Sequence, residues 1–241
     1  MLINIFPDND ELHRAVSKEI IQLVKTKPDS VLGLSTGSSP VDTYALLVDD
    51  YKKNKTDYSS IVTFNLDEYV GLDAHHDQSY RHFMNFHLFN HLNIPADQTH
   101  VPLGTGDLDN NCQEYEALIQ EAGGIDLQLL GIGTNGHIGF NEPGTSFESR
   151  THVAPLLKDT IEANSRFFET SEEVPTKAVT MGIKTIMEAR KIILLAYGSH
   201  KAAAVRDMVN GEVSEDLPAS ILQKHEHVAL FLDEEAASLL Q

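Results

Sequence analysis

Short apolar runs alternate with longer amphipathic stretches along the whole chain. The runs are rich in Val, Ile and Leu, and each is followed within a few residues by Gly, Ser, Asn or Asp, which is typical of buried strands that end in turns. The predicted strands lie at residues 2–6, 31–34, 61–65, 125–131, 191–197 and 227–232.

Between these runs, apolar residues recur at helical spacing. Leu12, Val16 and Ile20 fall on one helix face, and residues 112–121 and 199–209 show the same period. Parallel strands need crossover connections, which are usually helices, so this alternation favours a mostly parallel sheet. The sequence therefore predicts an α/β fold, a doubly wound, Rossmann-like sheet with helices on both faces.

The length and composition favour one folded domain. A chain of 241 residues, with 41% hydrophobic and 22% charged residues, is long enough to bury a single core and has an ordinary globular composition. We expect residues 1–241 to form a single domain. Residues 141–177 are poor in strand pattern, and we expect them to form an excursion over the site that could act as a lid.

The charge balance excludes several kinds of partner. The formal net charge of −18 repels nucleic acid and anionic membrane surfaces, so we expect a small-molecule partner, held by local donors if it is an anion. The single cysteine, Cys112, cannot form an intramolecular disulfide. The N-terminal stretch becomes charged within ten residues, and a cytoplasmic location is therefore expected.

The turn after the second predicted strand is suited to a phosphate group. In VLGLSTGSSP, Gly37 permits a sharp turn, and donors are offered by Thr36, Ser38 and Ser39. Pro40 sits at the predicted first position of the next helix, whose N-terminus favours anions. Because the segment matches neither the P-loop nor the dinucleotide-binding pattern, an ordinary capped turn remains the alternative.

The third predicted strand delivers two adjacent carboxylates, Asp67 and Glu68. Adjacent side chains at a strand end point in different directions, so we expect at most one of them to face the crevice. A partly buried carboxylate there can abstract a proton from carbon next to a carbonyl or imine. A helix N-cap or a surface turn is the alternative role.

The glycine-rich segment LLGIGTNGHIGFNEPG carries the strongest chemical signal. Its glycines, among them Gly131, indicate backbone that passes close to a ligand or to another element. His137 and Glu142 lie five residues apart in a predicted loop, so the carboxylate can orient the imidazole as a proton shuttle. A structural histidine is the alternative.

Two cations are further candidates for binding an anion. Lys201 opens a predicted helix, where a positive charge is unfavourable unless an anion lies nearby. Arg166 lies in EANSRFF, and a surface salt bridge is its alternative role. His75 and His76 are adjacent and cannot easily converge on one metal ion, so a metal site is not expected.

The segments NLDEYVGL, SYRHFM, LLGIGTNGHIGFNEPGTSF, ANSRFF and PAS resemble those of the glucosamine-6-phosphate deaminase (isomerase) family, over about residues 30–232. The resemblance implies isomerisation and deamination of glucosamine 6-phosphate to fructose 6-phosphate and ammonia, in amino-sugar catabolism and without metal or cofactor. It implies that Asp67 is the base at the sugar carbon and that His137, supported by Glu142, opens the ring. The implied phosphate ligands are Thr36, Gly37, Ser38, Ser39, Arg166 and Lys201.

Two departures from the family pattern affect these expectations. Some members have Asp where this chain has Asn135, so here the imidazolium is stabilised by one carboxylate rather than two. Allosteric hexameric members carry an Arg and a Lys at the positions of His152 and Ala154. We therefore expect a non-allosteric monomer or low-order homo-oligomer.

Two other functions remain as alternatives. A 6-phosphogluconolactonase has a related architecture, but lactone hydrolysis needs no carbon base, and the NLDEY segment speaks against it. A sugar-phosphate-sensing binding module shares the fold, but the negative charge and the set formed by Asp67, His137 and Glu142 favour an enzyme.

Overall fold

The computed structural model describes residues 1–157, 161 and 174–240. The strands in this part of the chain are β1 (Leu2–Phe6), β2 (Val31–Leu34), β3 (Val62–Asn65), β4 (Asp67–Tyr69), β5 (Thr99–His100), β6 (Leu127–Leu130), β7 (His152–Pro155), β8 (Lys177–Thr180), β9 (Ile192–Ala196) and β10 (Val228–Asp233). Its α-helices are α1 (Asn9–Thr26), α2 (Val41–Asn54), α3 (Tyr80–His87), α4 (Leu108–Glu121), α5 (Ile183–Met187) and α6 (Ala202–Asn210). Short 3-10 helices lie at Phe89–His91, Ala96–Gln98, Ser199–Lys201 and Pro218–Lys224.

Seven strands form a central sheet in the order β1-β10-β9-β6-β2-β3-β5, and every neighbouring pair is parallel. The predicted mostly parallel α/β fold is confirmed. From β2 the chain winds through β3 to β5 on one side, and then returns to β6, β9 and β10 on the other. The direction of winding therefore changes between β2 and β6, which is where ligands bind in sheets of this kind.

Helices cover both faces of the central sheet because strand side chains alternate between two cores. Ile193 and Leu195 pack into one core with α1 and α2, whereas Ile192 and Leu194 pack into the other with α4 and α6. Strands buried on both faces are continuously apolar, which is why the sequence pattern located them.

A second, smaller sheet of three antiparallel strands, in the order β4-β8-β7, was not predicted. Its strands are three or four residues long and include charged or polar positions, such as the Asp-Glu-Tyr of β4. Strand β7 falls within residues 141–177, which the sequence pattern described as poor in strands. The two-residue strand β5 was also missed.

The bounds of the six predicted strands agree with the structure within two residues. The expected position of Pro40 needs correction, because Pro40 precedes helix α2 as its N-cap and Val41 is the first helical residue. The predicted helix at 199–209 is a 3-10 turn followed by α6.

Two expectations fall wholly or partly beyond the described residues. Arg166 lies outside them, so the structure assigns it no contacts, and the lid predicted at 141–177 is described only in part. Within the described ranges, no helix is long and apolar enough to cross a membrane.

Candidate active site

The predicted site residues lie where the central sheet changes its winding direction. The loops after β2 and β6 begin at the adjacent carboxyl ends of those strands, and the segment after β9 leads to Lys201 on the same edge. A Cβ atom placed on Gly131 would lie 3.7 Å from the hydroxyl oxygen of Ser39, in ordinary van der Waals contact. The loops after β2 and β6 therefore meet at this edge of the sheet.

The loop after β2 has the geometry of an anion-binding turn. Gly37 adopts a left-handed φ of 82°, and Ser38 beside it is exposed. Helix α2 follows directly, and its N-terminus adds a positive partial charge. The Tyr197 hydroxyl donates a hydrogen bond to the carbonyl oxygen of Ser38 over 3.4 Å.

Lys201 adds a cation to the same edge of the sheet. Its ammonium donates a hydrogen bond to the carbonyl oxygen of Ile132, 2.7 Å away in the loop that follows β6. Burial lowers the pKa of Lys201, and no charged group among the described residues contributes to the shift. An anion bound here would compensate this partly desolvated charge.

Asp67 is a buried carboxyl group, with 6% of the residue exposed. Burial raises its pKa to about 8, the neighbouring Glu68 adds to the rise, and a hydrogen bond from Thr36 opposes it. A Cβ atom on Gly139 would lie 3.6 Å from an Asp67 carboxylate oxygen, so the loop after β6 passes close to this group. A carboxyl group with such a pKa can exchange protons near neutral pH.

Glu68 has a different role from its neighbour. Its two carboxylate oxygens accept hydrogen bonds from the backbone N–H groups of Tyr69, Tyr80 and Arg81, over 2.8 to 3.0 Å. Because Tyr80 and Arg81 begin helix α3, Glu68 attaches that helix to β4. The carboxylate of Glu68 is therefore occupied by backbone donors, whereas that of Asp67 lies beside the loop that follows β6.

The loop after β6 places His137, Asn135 and Glu142 in one hydrogen-bonded group. The Asn135 side-chain oxygen lies 2.8 Å from His137 Nδ1, and the Asn135 amide donates to Glu142 Oε2 over 2.7 Å. His137 Nδ1 is also 3.4 Å from that Glu142 oxygen. Since the Asn135 oxygen only accepts, Nδ1 carries the proton and Nε2 is the nitrogen left to exchange one.

Two glycines give this loop its shape. A Cβ atom on Gly133 would lie 2.3 Å from His137 ring atoms, so the imidazole rests against the backbone of Gly133. Gly136 adopts a left-handed φ of 82°, which reverses the chain just before His137. The density of glycines in the sequence therefore reflects packing within the loop as well as access to a ligand.

Three aromatic rings beside Asp67 were not singled out from the sequence. The ring centroid of Tyr80 lies 4.7 Å from that of Tyr69 and 6.1 Å from that of Phe140, and the two hydroxyls of the tyrosines are 3.2 Å apart. Tyr69 could have been inferred from the sequence, because Asp67 and Tyr69 are two residues apart in one strand and share its face. Thr180, which pairs with Asp67 across the small sheet, was also missed.

The structure thus brings the predicted residues of four segments to one edge of the central sheet, with Arg166 beyond the described residues. Within the described ranges, no group of three or more His, Cys, Asp or Glu side chains could hold a metal ion. The fold and this site define the class of the protein as an α/β enzyme, in which an anion-binding turn lies beside a buried acid and an oriented histidine.

Comparison with known proteins identifies the family within this class. Residues 7–231 match the sequence profile of the family described as glucosamine-6-phosphate isomerases/6-phosphogluconolactonase, and the chain belongs to this family. The resemblance inferred from the sequence motifs is confirmed.

Relatives with high identity over the whole chain carry the same name. The glucosamine-6-phosphate deaminase of Clostridium novyi is 55% identical over 100% of both chains. The glucosamine-6-phosphate deaminase of Thermoanaerobacter sp. is 48% identical over 100% of this chain and 95% of its own.

Solved structures show the same fold. A monomeric glucosamine-6-phosphate deaminase superposes with a TM-score of 0.97 at 44% identity, covering 99% of this chain and 100% of its own. The 6-phosphogluconolactonase of Trypanosoma brucei superposes with a TM-score of 0.75 at 22% identity, covering 100% of this chain and 98% of its own. At that identity the likeness to the lactonase concerns the fold alone.

Proposed function

We propose that this protein isomerises and deaminates glucosamine 6-phosphate, giving fructose 6-phosphate and ammonia. The names of its full-length relatives support this reaction. The observation in the site that carries it is the buried carboxyl group of Asp67, whose pKa of about 8 suits a base acting on carbon. Such a base is needed to move a proton between sugar carbons.

His137 opens the sugar ring in this scheme. With its Nδ1 proton held by Asn135 and Glu142, the imidazole is oriented and Nε2 can transfer a proton between the anomeric hydroxyl and the ring oxygen. The nearby Glu142 carboxylate stabilises the imidazolium that forms during the transfer. The product is the open-chain aldehyde, in which the proton on C2 has become acidic.

Asp67 then removes the proton from C2, and the electrons of that bond shift toward the C1 carbonyl. A proton passes from the substrate amine to the C1 oxygen, and the proton held by Asp67 returns to C1, which gives an imine at C2. Water then hydrolyses this imine to fructose 6-phosphate with release of ammonia. Asp67 must be ionised at the start of this step, and the positively charged amine of the substrate favours that form. Neither an added metal nor an organic cofactor is required by this chemistry.

The phosphate group binds at the turn after β2. Gly37, Ser38 and Ser39 donate to it at the N-terminus of α2, and Lys201 supplies a positive charge from the other side of the crevice. Thr36 hydrogen-bonds Asp67 and so links this turn to the base. Gly131 lets the substrate approach the end of β6, and Arg166 remains a proposed phosphate ligand.

The proposed setting is the cytoplasm, in a monomer or a low-order homo-oligomer with no nucleic acid or membrane partner. The monomeric state of the deaminase with the TM-score of 0.97 supports the low order. The net charge of −18 speaks against nucleic acid and anionic membranes as partners. The buried, unpaired Cys112 supports the reducing cytoplasm as the setting.

A coupled assay for ammonia and fructose 6-phosphate tests this function. The wild type should release both from glucosamine 6-phosphate in the presence of a chelator, whereas Asp67→Asn should lose at least about 10³-fold in kcat. Asp49→Asn, in an exposed ion pair of helix α2, is the matched control and should keep full activity. Absence of ammonia with the wild type would reject the proposal, and hydrolysis of 6-phosphogluconolactone would then identify the lactonase instead.

A further inference from the structure

Three segments of the site meet at Thr180, the last residue of β8. Thr180 lies directly opposite Asp67 in the antiparallel pair of β8 and β4, so the two side chains are on the same face of the small sheet. The Thr180 hydroxyl oxygen accepts a hydrogen bond of 3.0 Å from the backbone N–H of Phe140. Phe140 belongs to the loop that carries His137 and Glu142, so one fully buried residue is paired with Asp67 in the sheet and hydrogen-bonded to this loop.

The loop is fitted closely to this side chain. Gly139 adopts a left-handed φ of 59°, and a Cβ atom there would lie 3.0 Å from the Thr180 hydroxyl and 3.6 Å from an Asp67 carboxylate oxygen. A side chain at Gly139 would therefore be strained and would press against the hydroxyl that Phe140 contacts. A second attachment follows at the next residues, where the Asn141 amide donates to the carbonyl oxygen of Met181 over 2.9 Å.

We propose that Thr180 is a positioning residue, whose hydroxyl fixes the loop bearing His137 and Glu142 against the strand that carries Asp67. This inference rests on the proposed function, because Thr180 would set the distance between His137, which opens the ring, and Asp67, which takes the carbon proton.

The physical reason lies in the glycines on either side of His137. Glycine tolerates many backbone conformations, so the position of this loop depends on the groups that it contacts. Loss of the Thr180 hydroxyl leaves the buried N–H of Phe140 without an acceptor, which favours movement of the loop toward another partner. A shift of about 1 Å in a catalytic group can lower a rate about 10²-fold.

The experiment compares three variants of Thr180 with one matched control. Thr180→Ser keeps the acceptor, Thr180→Val keeps the shape, and Thr180→Ala removes the hydroxyl without introducing a methyl group near Phe140. The control is Thr185→Val, a buried threonine whose hydroxyl donates to Glu116 over 2.7 Å, outside the site. All four proteins are assayed for kcat, KM and Tm with glucosamine 6-phosphate.

We expect kcat to fall about 10²-fold in Thr180→Val and Thr180→Ala, with KM within about threefold of the wild type because the phosphate turn is untouched. Thr180→Ser should stay within about fivefold in kcat. Thr180→Val and Thr185→Val should lower Tm by similar amounts, because each removes one buried hydroxyl. Only Thr180→Val should lower kcat, which separates a positioning role from a loss of stability.

Three results would overturn the inference. One is a kcat near that of the wild type in Thr180→Ala. This variant alone tests the inference if Thr180→Val does not fold. Another is an equal loss of kcat in Thr185→Val, and the third is a loss confined to KM. Failure of the proposed function looks different, because the wild type would then release no ammonia.

Discussion

At Asp67, burial affects the stability of the protein as well as its chemistry, because the pKa of the carboxyl group rises to about 8 in the folded state. In the unfolded chain the group ionises near its ordinary value of 3.8. Below that pH both states bind the proton and burial of the charge has no effect. As the pH rises toward 8 the unfolded chain loses the proton first, so Asp67 increasingly favours unfolding.

This linkage predicts the effect of Asp67→Asn on the ligand-free protein. The variant cannot ionise, so its free energy of unfolding should exceed that of the wild type by a few kcal/mol at pH 8, with the gain vanishing near pH 4. Thermal denaturation of both proteins across this pH range provides the measurement. A difference in Tm that stays constant with pH would contradict the expected role of burial.

Several residues of the site could be predicted from residue types and their neighbours in the sequence. The contact between His137 and Glu142 was predicted from their spacing within a glycine-rich loop, and the structure places Nδ1 of His137 3.4 Å from Glu142. The aromatic residues around Asp67 and the hydroxyl of Thr180 were missed. The position of Thr180 depends on pairing between β4 and β8, whose residues are more than 100 positions apart in the sequence, and no local pattern encodes that pairing.

Among the elements, β4 and α3 depend on one side chain. Glu68 accepts three backbone hydrogen bonds, two of them from the first residues of α3. A carboxylate offers only acceptors to these donors, whereas a glutamine side chain would turn an N–H group toward at least one of them. The attachment of α3 to the strand that bears Asp67 therefore requires the acid.

We accordingly expect Glu68→Gln to lower the free energy of unfolding by about 1–3 kcal/mol. Chemical denaturation followed by circular dichroism would measure this loss. Glu114→Gln, on the exposed part of α4, is the control, because its contact with the side chain of Asn110 needs only one acceptor oxygen. Equal stability of the two variants would show that Glu68 does not hold the helix.

Most strands of the central sheet could be predicted because they are apolar runs, and β2, β6, β9 and β10 are buried along their whole length, whereas the two-residue β5 is too short to give a pattern. The small sheet could not, since β4, β7 and β8 are short and β7 ends in a proline. The pairing of these strands depends on their packing next to the main core. Alternation of apolar and polar residues over three or four positions is too short to reveal it. The elements closest to the chemistry were thus the least visible in the sequence.

For the whole molecule, the segment after the active-site loop bears on how the enzyme responds to substrate. In the family pattern, allosteric members have an Arg and a Lys where this chain has His152 and Ala154. Here Ala154 is buried, with 4% exposed, and His152 Nδ1 lies 2.8 Å from the carbonyl oxygen of Arg150. Neither position offers the permanent positive charge that an activator phosphate would need.

Cooperative binding at equilibrium requires at least two coupled sites, and the proposed low oligomeric order together with the lack of a permanent positive charge at His152 and Ala154 speaks against such coupling. We therefore expect initial rates to follow a hyperbola in glucosamine 6-phosphate, with a Hill coefficient of about 1, and N-acetylglucosamine 6-phosphate to give no activation at millimolar concentration. Sedimentation at the assay concentration supplies the oligomeric state alongside the kinetics. A sigmoidal curve that becomes hyperbolic on addition of N-acetylglucosamine 6-phosphate would contradict this expectation, because it would require an activator site built from other residues than these two.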